Sequence, residues 1–251
     1  MVAWFVLTYL IAAIPFGLVL TTLYGGDSDI RGSGSGNIGA TNVARVYGWR
    51  LAVPALLLDI AKGFFPVLGA SLLWPELGLW WPAFIAFAAF LAHCFSVYLE
   101  FRGGKGVATG AGGMLALAPV PTLLAVGVWL VVLAITGKSS VGALLAAASL
   151  IGFAGWLDPQ TLPVVVLLAL GIGFTHVSNI RRLMRGQEGQ VVRPVRWGRS
   201  ASEGPDPEAL LEQGPAGTPV IPALWKESVP DPLEITDDVT LESREPAEPR
   251  G

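Results

Sequence analysis

A glycine-rich segment near the start of the chain combines a flexible backbone with side chains that bind phosphate. The segment RGSGSGNIGATNVAR runs from Arg31 to Arg45 and contains G-x-G-x-x-G at Gly34, Gly36 and Gly39. Glycines let several backbone N–H groups converge on phosphate oxygens, while hydroxyl and amide groups donate hydrogen bonds and arginine adds a bidentate charge. We therefore predict an anion site whose side chains are Ser35, Asn37, Thr41, Asn42 and Arg45.

Two other interpretations of this segment are a dinucleotide-binding Rossmann turn and a flexible linker. A Rossmann turn needs a preceding strand within a βαβ unit. Here a long apolar stretch, Val2 to Tyr24, comes first. A linker accounts for the glycines but not for Asn37, Thr41 and Arg45. The anion site accounts for both.

The second candidate is FRGGKGVATG, from Phe101 to Gly110. It is not a Walker A loop, because Lys105 is followed by glycine instead of Ser or Thr. A helix that begins at Val107 would still offer free N–H groups and a partial positive charge to a phosphate. The alternative is that Arg102 and Lys105 only anchor the chain at the membrane surface. We favour a substrate-binding loop formed by Gly103, Gly104, Lys105 and Gly106.

The third candidate is THVSNIRRLMRGQEG, from Thr175 to Gly189. His176, Asn179 and Arg182 are spaced by three residues, which places imidazole, amide and guanidinium on one helical face. A lone histidine at a helix end usually only packs, but here two anion-binding segments are expected on the same side. We predict that this face is part of a functional site, and that Glu188 forms an ion pair with a nearby arginine.

Further polar residues lie within apolar stretches. Ser139 and Ser140 follow Lys138 and are predicted to bind an anion at a helix N-terminus, although an N-cap is the alternative. Asp59 and Lys62 are three residues apart, so they are expected to pair. The sequence leaves open whether that pair is structural or contacts substrate. His93 is expected to support the second segment from within the bundle.

The composition predicts an all-α polytopic membrane protein. The chain has 251 residues, of which 53% are hydrophobic and 14% charged, and its mean hydropathy is +0.59. Such values are too apolar for an ordinary soluble domain. One cysteine, Cys94, and two histidines exclude an internal disulfide and a zinc site. We expect no metal, no cofactor and no nucleic-acid partner.

Apolar stretches and basic loops together predict seven transmembrane helices. Basic residues follow the first, third, fifth and seventh stretches, so the positive-inside rule makes those loops cytoplasmic and the N-terminus external. The fourth and fifth stretches are short, and the proline-rich sequence at residues 119–121 joins them. The stretches are Val2 to Tyr24, Leu51 to Leu73, Leu79 to Leu99, Val107 to Ala118, Thr122 to Ile135, Ser140 to Trp156 and Leu162 to Ile180.

The charge distribution divides the chain into two parts. Residues 1–198 carry 12 Lys and Arg against 7 Asp and Glu, a net of +5, whereas residues 199–251 carry 4 against 12, a net of −8. The second part also holds 9 of the 19 prolines. Such a segment lacks the apolar surface needed to fold. We predict a membrane-embedded domain over 1–198 and a disordered, acidic, cytoplasmic tail over 199–251.

Three segments in this order and spacing resemble the signatures of the bacterial acyl-phosphate:glycerol-3-phosphate acyltransferase family. They are SGNIGATN with Arg45, FRGGKGVAT, and H-x-x-N-I-x-R-L-x-x-G-x-E from His176 to Glu188. D-x-x-K-G at Asp59 to Gly63 is similar too. The resemblance covers residues 1–188 and leaves out the acidic tail.

The resemblance implies a seven-helix enzyme of the bacterial inner membrane with its active site at the cytoplasmic side. It implies acyl transfer from acyl phosphate to the sn-1 hydroxyl of glycerol 3-phosphate, which gives lysophosphatidic acid. Ser35 and Arg45 would then be essential in the first motif, Lys105 would bind glycerol 3-phosphate, and His176 with Asn179 would serve catalysis. Val177 occupies a position that is often basic or polar in the family, which implies that one auxiliary charge contact is lost.

Two other function classes compete with an acyltransferase. An organic-phosphate transporter would usually show internal repeats and a site at the bilayer midplane, whereas the three motifs here are dissimilar and gather at one interface. A noncatalytic membrane scaffold would leave the glycine, asparagine, threonine and lysine pattern unexplained. We therefore favour an enzyme that acts on a lipidic product at the membrane surface.

Overall fold

The computed structural model describes residues 1–24 and 29–192, and its regular elements in these ranges are helical. Short 3-10 turns at Ile30–Gly32, Pro75–Leu77, Val97–Leu99 and Pro159–Thr161 separate some of the α-helices. The α-helices are α1 (Val2–Ala12), α2 (Phe16–Tyr24), α3 (Ala40–Tyr47), α4 (Trp49–Leu73), α5 (Trp80–Cys94), α6 (Val107–Leu117), α7 (Pro119–Thr136), α8 (Ser139–Leu157), α9 (Leu162–Thr175) and α10 (Val177–Met184).

Several helices are long and apolar enough to cross a bilayer, as the composition predicts. Four are continuous: α4, α5 with the turn that follows it to Leu99, α7 and α8. Two further spans are possible if each bent pair, α1 with α2 and α9 with α10, counts as one. Helix α6 has 11 residues, so it measures only about 16 Å. The exact number of seven spans and their orientation therefore stay predictions.

Helix α7 corrects the expectation that two spans are short. The sequence predicts a helix over Thr122 to Ile135, with the proline-rich residues before it as a connection. In the structure α7 begins at Pro119 and has 18 residues. Proline is favoured in the first turn of a helix because that turn needs no N–H donor. The break with α6 falls at Ala118 instead, and α6 remains the short one.

Breaks in the first and last stretches are a second difference from the expected continuous spans. The chain bends by 43° between α1 and α2 and by 56° between α9 and α10. Pro15 explains the first bend, since proline cannot donate to the helix and restricts the residue before it. The carbonyl of Ile14 accepts hydrogen bonds from Lys62 Nζ at 2.6 Å and from the N–H of Phe16 at 3.1 Å. His176 lies at the second bend.

Small residues hold α4 against α6 and so fix the start of α6. A Cβ on Gly63 would overlap the carbonyl of Thr109, and a Cβ on Gly112 would overlap the carbonyl of Ile60. Glycines at such crossings let two helix backbones approach closely in a membrane protein. The core beside them joins α5, α6, α8 and α9 around Phe90, Met114 and Leu168. The predicted acidic tail, residues 199–251, lies outside the described residues.

Candidate active site

One cavity of about 270 Å³ brings the three sequence motifs together. The long loop after α2, the loop between α5 and α6, and the segment from α9 to Gly189 all contribute to its wall. The described cavity-lining residues include ten of the predicted site residues: Ser35, Asn37, Thr41, Asn42, Arg45, Lys105, Gly106, Ser140, His176 and Asn179. Gly103 and Gly104 are not among the residues that line it.

Asn42 organises the first motif. Its Oδ1 accepts a hydrogen bond from the backbone N–H of Ser35 at 2.8 Å, and its Nδ2 donates to the carbonyls of Ser33 and Asn37 at 3.0 and 2.9 Å. The side chain is buried. Because its polar atoms are engaged with the loop backbone, Asn42 shapes the loop, and a direct contact with substrate stays a prediction.

Glycine is required at one turn of this loop. Gly34 has φ of 60°, a conformation that residues with a side chain rarely adopt. A Cβ at Gly34 would also overlap Asn42 Oδ1. The turn presents Ser35, which is exposed, at the cavity. The G-x-G-x-x-G spacing thus builds a loop around an asparagine instead of a dinucleotide turn.

The beginning of α3 adds the other polar groups of the first motif. Asn37 Oδ1 accepts from the N–H of Gly39 at 2.7 Å just before the helix. The hydroxyl of Thr41 lies 3.2 Å from that of Ser139 at the start of α8. Within residues 1–24 and 29–192, the hydrogen bonds of the Arg45 side chain are long, from Nη2 to the carbonyl of Gly189 at 3.4 Å and from Nη1 to Asn42 at 3.5 Å. Its guanidinium therefore keeps donors available for an anion.

The second motif differs from the prediction in how its glycines are used. The N–H of Gly103 donates to the carbonyl of Cys94 at 2.9 Å, and that of Gly104 donates to the carbonyl of His93 at 3.0 Å. These two amides complete the end of α5 and are not free for a phosphate. A Cβ on Gly103 would overlap the His93 carbonyl. The two glycines therefore let the loop lie directly against α5, while Lys105 and Gly106 reach the cavity.

Lys105 supplies a cation at the N-terminus of α6. Gly106 precedes that helix with φ of 74°, and a Cβ there would overlap the ring of Phe90. Lys105 Nζ donates to Asn179 Oδ1. Burial lowers the pKa of Lys105 to about 8, with Arg182 and Arg45 also lowering it and Glu188 opposing them. The lysine is thus a poorly solvated cation, which attracts a phosphate more strongly than an exposed lysine does.

His176 presents one ring nitrogen to the site. It is buried, and its Nδ1 lies 2.8 Å from the carbonyl of Ile172. A carbonyl oxygen can only accept, so Nδ1 carries the proton of the neutral ring and Nε2 keeps a lone pair. The predicted single helical face of the third motif is only partly present, because His176 lies at the bend whereas Asn179 and Arg182 belong to α10.

Glu188 is the hydrogen-bond centre of the third motif. Its Oε1 accepts from Ser140 Oγ at 2.7 Å and from Asn179 Nδ2 at 2.6 Å, and its Oε2 accepts from Arg182 Nε at 2.8 Å. Burial raises the pKa of Glu188, but these three hydrogen bonds outweigh burial and hold the pKa below its usual value. The predicted ion pair with an arginine is confirmed, and the partner is Arg182.

Sequence reasoning did not foresee that Glu188 also holds Ser140. The serine hydroxyl, predicted to bind substrate, donates to the carboxylate in this structure. Glu188 also lines the cavity itself. A buried carboxylate needs several hydrogen-bond donors, and one arginine does not supply enough of them. This need could have indicated that Glu188 has a further partner.

Asp59 and Lys62 form the expected pair on α4. Lys62 Nζ lies 2.7 Å from Asp59 Oδ1, and both side chains are almost fully buried. His93 Nδ1 lies 3.8 Å from the same carboxylate oxygen. A Cβ on Gly104 would overlap His93 Nε2, so the imidazole packs directly behind the second motif. His93 therefore supports that loop from within the bundle, as expected.

The larger part of the cavity wall is apolar, and the sequence motifs did not reveal it. Helices α6 to α9 contribute this part, and its residues include Met114, Ala125, Val126, Trp129, Ala143, Ala147, Leu150, Leu168 and Ile172. Alanines at positions 143 and 147 share one face of α8. That pattern was the available signal, but small residues on a membrane helix more often mark close helix packing.

The electrostatics of the polar end favour anions. Arg45 and Lys105 line the cavity together with two carboxylates, those of Glu188 and Asp59. Both carboxylates are already paired, Glu188 with Arg182 and Asp59 with Lys62. Among the residues that the structure describes, no carboxylate lies within 4.0 Å of Arg45 or Lys105. Two cations and several hydroxyl and amide groups at the end of an apolar cavity can hold phosphate groups next to an alkyl chain.

Comparison with known proteins points to the same chemistry. The glycerol-3-phosphate acyltransferase family profile matches residues 2–186. A glycerol-3-phosphate acyltransferase of Pseudomonas paraeruginosa is 42% identical over 184 residues, which cover 73% of this chain and 95% of that protein. The enzyme of the same name from Pseudomonas fluorescens is 43% identical over 183 residues, with the same coverage.

Two solved structures share the fold. Both are crystal structures of PlsY (YgiH), an integral membrane glycerol 3-phosphate acyltransferase. The glycerol 3-phosphate form has a TM-score of 0.70 at 34% identity, and the lysophosphatidic acid form has a TM-score of 0.69 at 33% identity. Each comparison covers 75% of this chain and 94% of the solved chain. The chain belongs to the glycerol-3-phosphate acyltransferase family.

Proposed function

We propose that this membrane enzyme transfers a fatty acyl group from acyl phosphate to the sn-1 hydroxyl of glycerol 3-phosphate. The products are lysophosphatidic acid and inorganic phosphate, and the reaction is the first step of phospholipid synthesis. Acyltransfer to glycerol 3-phosphate follows from the family. The acyl-phosphate donor, the sn-1 position and the roles of individual residues are the parts proposed here.

One observation carries the proposal: a single cavity is cationic at one end and apolar at the other. Arg45 and Lys105 mark the first end, and Met114 and Leu168 belong to the second. A ligand that fits both ends has a phosphate group next to an alkyl chain, as acyl phosphate and lysophosphatidic acid do. The volume of about 270 Å³ lies just below the usual range of about 300–1,000 Å³ for ligand sites.

The residues divide into two phosphate-binding groups in this proposal. Lys105, with the N-terminus of α6 and Asn179, binds the phosphate of glycerol 3-phosphate. Arg45 and the first motif, through Ser35 and Thr41, bind the phosphate of the donor. Two phosphates repel each other, so cations and donors already in position lower the barrier to their approach.

The chemical step is a direct displacement. The sn-1 oxygen attacks the acyl carbon, a new ester C–O bond forms, and the bond from the acyl carbon to the phosphate oxygen breaks. The hydroxyl proton passes to His176 Nε2 or to the departing phosphate. The lone pair on Nε2, left by the hydrogen bond of Nδ1 to Ile172, supports the first route. Phosphate is a good leaving group, so no covalent enzyme intermediate is needed, and Ser35 acts as a hydrogen-bond donor.

The proposal also includes the membrane side. Basic residues in the motif loops favour the cytoplasmic face of the bacterial inner membrane by the positive-inside rule. Water-soluble glycerol 3-phosphate would then enter from the cytoplasm, while the acyl chain lies between helices in the apolar part of the cavity. Cysteine labelling of whole cells at Ser33 and at Leu77, which precede α3 and α5, tests this: only Leu77→Cys should react with an impermeant reagent.

A donor comparison tests the reaction itself. Purified full-length protein in lipid vesicles is incubated with glycerol 3-phosphate and either palmitoyl phosphate or palmitoyl-coenzyme A, and lysophosphatidic acid is measured by mass spectrometry. We expect product from palmitoyl phosphate only, and NMR of the product should locate the ester at sn-1. Product from palmitoyl-coenzyme A alone would overturn the donor assignment.

Substitutions test the residue roles. His176→Ala and Ser35→Ala should each lower kcat at least about a hundredfold, as expected for loss of a proton acceptor or of a donor in the transition state. Ser178→Ala is the matched control, because Ser178 is exposed beside the same bend. Near-normal rates in both His176→Ala and Ser35→Ala would reject the roles given to these two residues.

A further inference from the structure

The wall that α8 contributes to the cavity changes from small to large along the helix. Ser140, Ala143, Ala147 and Leu150 all line the cavity. Their spacings of three and four residues place them on one face of the helix. Leu150 is thus the first large side chain that an alkyl group meets when it extends from the polar end along this face.

Beyond Leu150 the interior is filled. Ala154, the next residue on the same face, is fully buried and belongs to the packed core instead of the cavity wall. Leu150 itself packs against that core. Counted from the polar end, the last cavity-lining residues of the neighbouring helices are Met114 on α6 and Val165 on α9, and both are fully buried.

The distance from the polar end to this level is similar along two walls. Ten residues separate Ser140 from Leu150 on α8, and eleven separate His176 from Val165 along α9. At about 1.5 Å per residue, both spans come to roughly 15 Å. The cavity therefore extends over about half of a hydrocarbon layer of roughly 30 Å. This depth limits the length of the alkyl chain that the cavity can hold.

The end of the cavity farthest from the polar motifs, the deep end, is lined by a polar residue whose hydroxyl proton is already used in a hydrogen bond within the protein. Thr122 is the polar side chain in that part of the wall, and its hydroxyl donates to the carbonyl of Ala118 at 2.7 Å. A polar ligand group placed there would lose its hydrogen bonds to water. The occupant of the deep end is therefore an alkyl chain.

We propose that Leu150 sets the length of the acyl chain that this enzyme transfers. This inference rests on the proposed function, because the acyl chain of the donor must occupy the apolar part of the cavity. A chain that ends before Leu150 fills the cavity, and a longer chain meets the leucine side chain and the core behind it. Leu150 is a specificity residue and has no part in the chemical step.

The experiment measures kcat/KM for lauroyl, myristoyl, palmitoyl and stearoyl phosphate with glycerol 3-phosphate, using the full chain in vesicles. Leu150→Ala should deepen the cavity and raise the ratio of stearoyl to lauroyl phosphate at least about tenfold, as extra methylene groups find space. Leu150→Phe should move the preference towards shorter chains. The KM for glycerol 3-phosphate should not change in either variant.

Leu145→Ala is the matched control, since Leu145 is an exposed leucine on the same helix and should keep the profile of the unmodified protein. Profiles of both Leu150 variants that coincide with that of the unmodified protein would overturn the inference while leaving acyl transfer intact. If one variant fails to fold, the other decides. Absence of transfer by the unmodified protein from every acyl phosphate would instead reject the proposed function.

Discussion

Asn179 Nδ2 donates a hydrogen bond to Glu188 Oε1 at 2.6 Å. The same amide accepts from Lys105 Nζ through its Oδ1. A lysine can only donate and an ionised carboxylate can only accept, so the orientation of the amide is fixed by its partners. The arrangement connects the second motif with the third through one side chain.

Replacing Asn179 by Asp should therefore disrupt the site. The change puts a second carboxylate beside Glu188 and removes the donor that Glu188 Oε1 uses. We expect kcat/KM to fall more than tenfold and the folded state to lose about 1–3 kcal/mol, measured by acyl-transfer assay and thermal denaturation. Ser178→Asp, an exposed position on the same helix, is the control. Equal effects of the two changes would contradict the prediction.

The activity should decline at alkaline pH. Burial lowers the pKa of Lys105 to about 8, so the lysine is charged below that pH and becomes neutral above it. We expect kcat/KM for glycerol 3-phosphate to fall as pH rises through about 8, because only the charged form attracts the substrate phosphate. The phosphate itself is already fully ionised there, with a second pKa of about 6.

The Lys105→Arg variant checks this assignment. Arginine stays charged throughout the accessible range, so the alkaline decline should disappear even if the overall rate is lower. A decline that persists at the same pH in the arginine variant would show that another group controls it.

Gly104→Ala should weaken the binding of glycerol 3-phosphate through a steric conflict in the second motif. A Cβ at this position would overlap His93 Nε2 and displace the loop that carries Lys105. We expect at least about a tenfold rise in KM for glycerol 3-phosphate. Gly173→Ala, where a Cβ meets no atom within 4 Å, is the control. The double variant Gly104→Ala with His93→Ala should regain activity relative to Gly104→Ala, and failure to do so would argue against this conflict.

Lys62→Met should destabilise the protein. It leaves the buried Asp59 carboxylate without its ion-pair partner and removes one of the two hydrogen bonds to the Ile14 carbonyl. Breaking a buried pair in this way costs about 3–5 kcal/mol, which should appear as a lower thermal midpoint. Adding Asp59→Asn should recover much of the loss, because no charge is then stranded. Lys138→Met, in the half-exposed turn before α8, should leave the midpoint unchanged.

Much of the candidate site was predictable because the types of its residues indicate phosphate binding. Phosphate binding needs cations, amides and hydroxyls near flexible backbone. The side chains of Arg45, Lys105 and Asn179 are suited to phosphate however the helices pack. The use of Gly103 and Gly104 was not predictable in this way. Glycine serves equally for donating an amide to a ligand and for letting two backbones touch, and only the neighbouring carbonyls of α5 distinguish these uses.

Local sequence also misplaced some helix boundaries. The prolines at 119–121 look like a connection, yet they form the first turn of α7, because proline suits either place. At the break caused by Pro15, the carbonyl of Ile14 accepts a hydrogen bond from Lys62 on another helix as well as one from the nearby N–H of Phe16. Whether a proline bends, begins or ends a helix thus depends on partners that are distant in sequence.

The sequence by itself determined the class of protein, the three motifs and the family resemblance, since hydropathy and motif spacing are local properties. The tertiary structure decided the rest. Only the tertiary structure shows that Ser140 and Asn179 donate hydrogen bonds to Glu188 and that His93 packs against Gly104. It also shows that the polar site continues into an apolar cavity that reaches Leu150. Those features arise where helices meet, and contacts between helices depend on side-chain volumes and unpaired donors that no single segment contains.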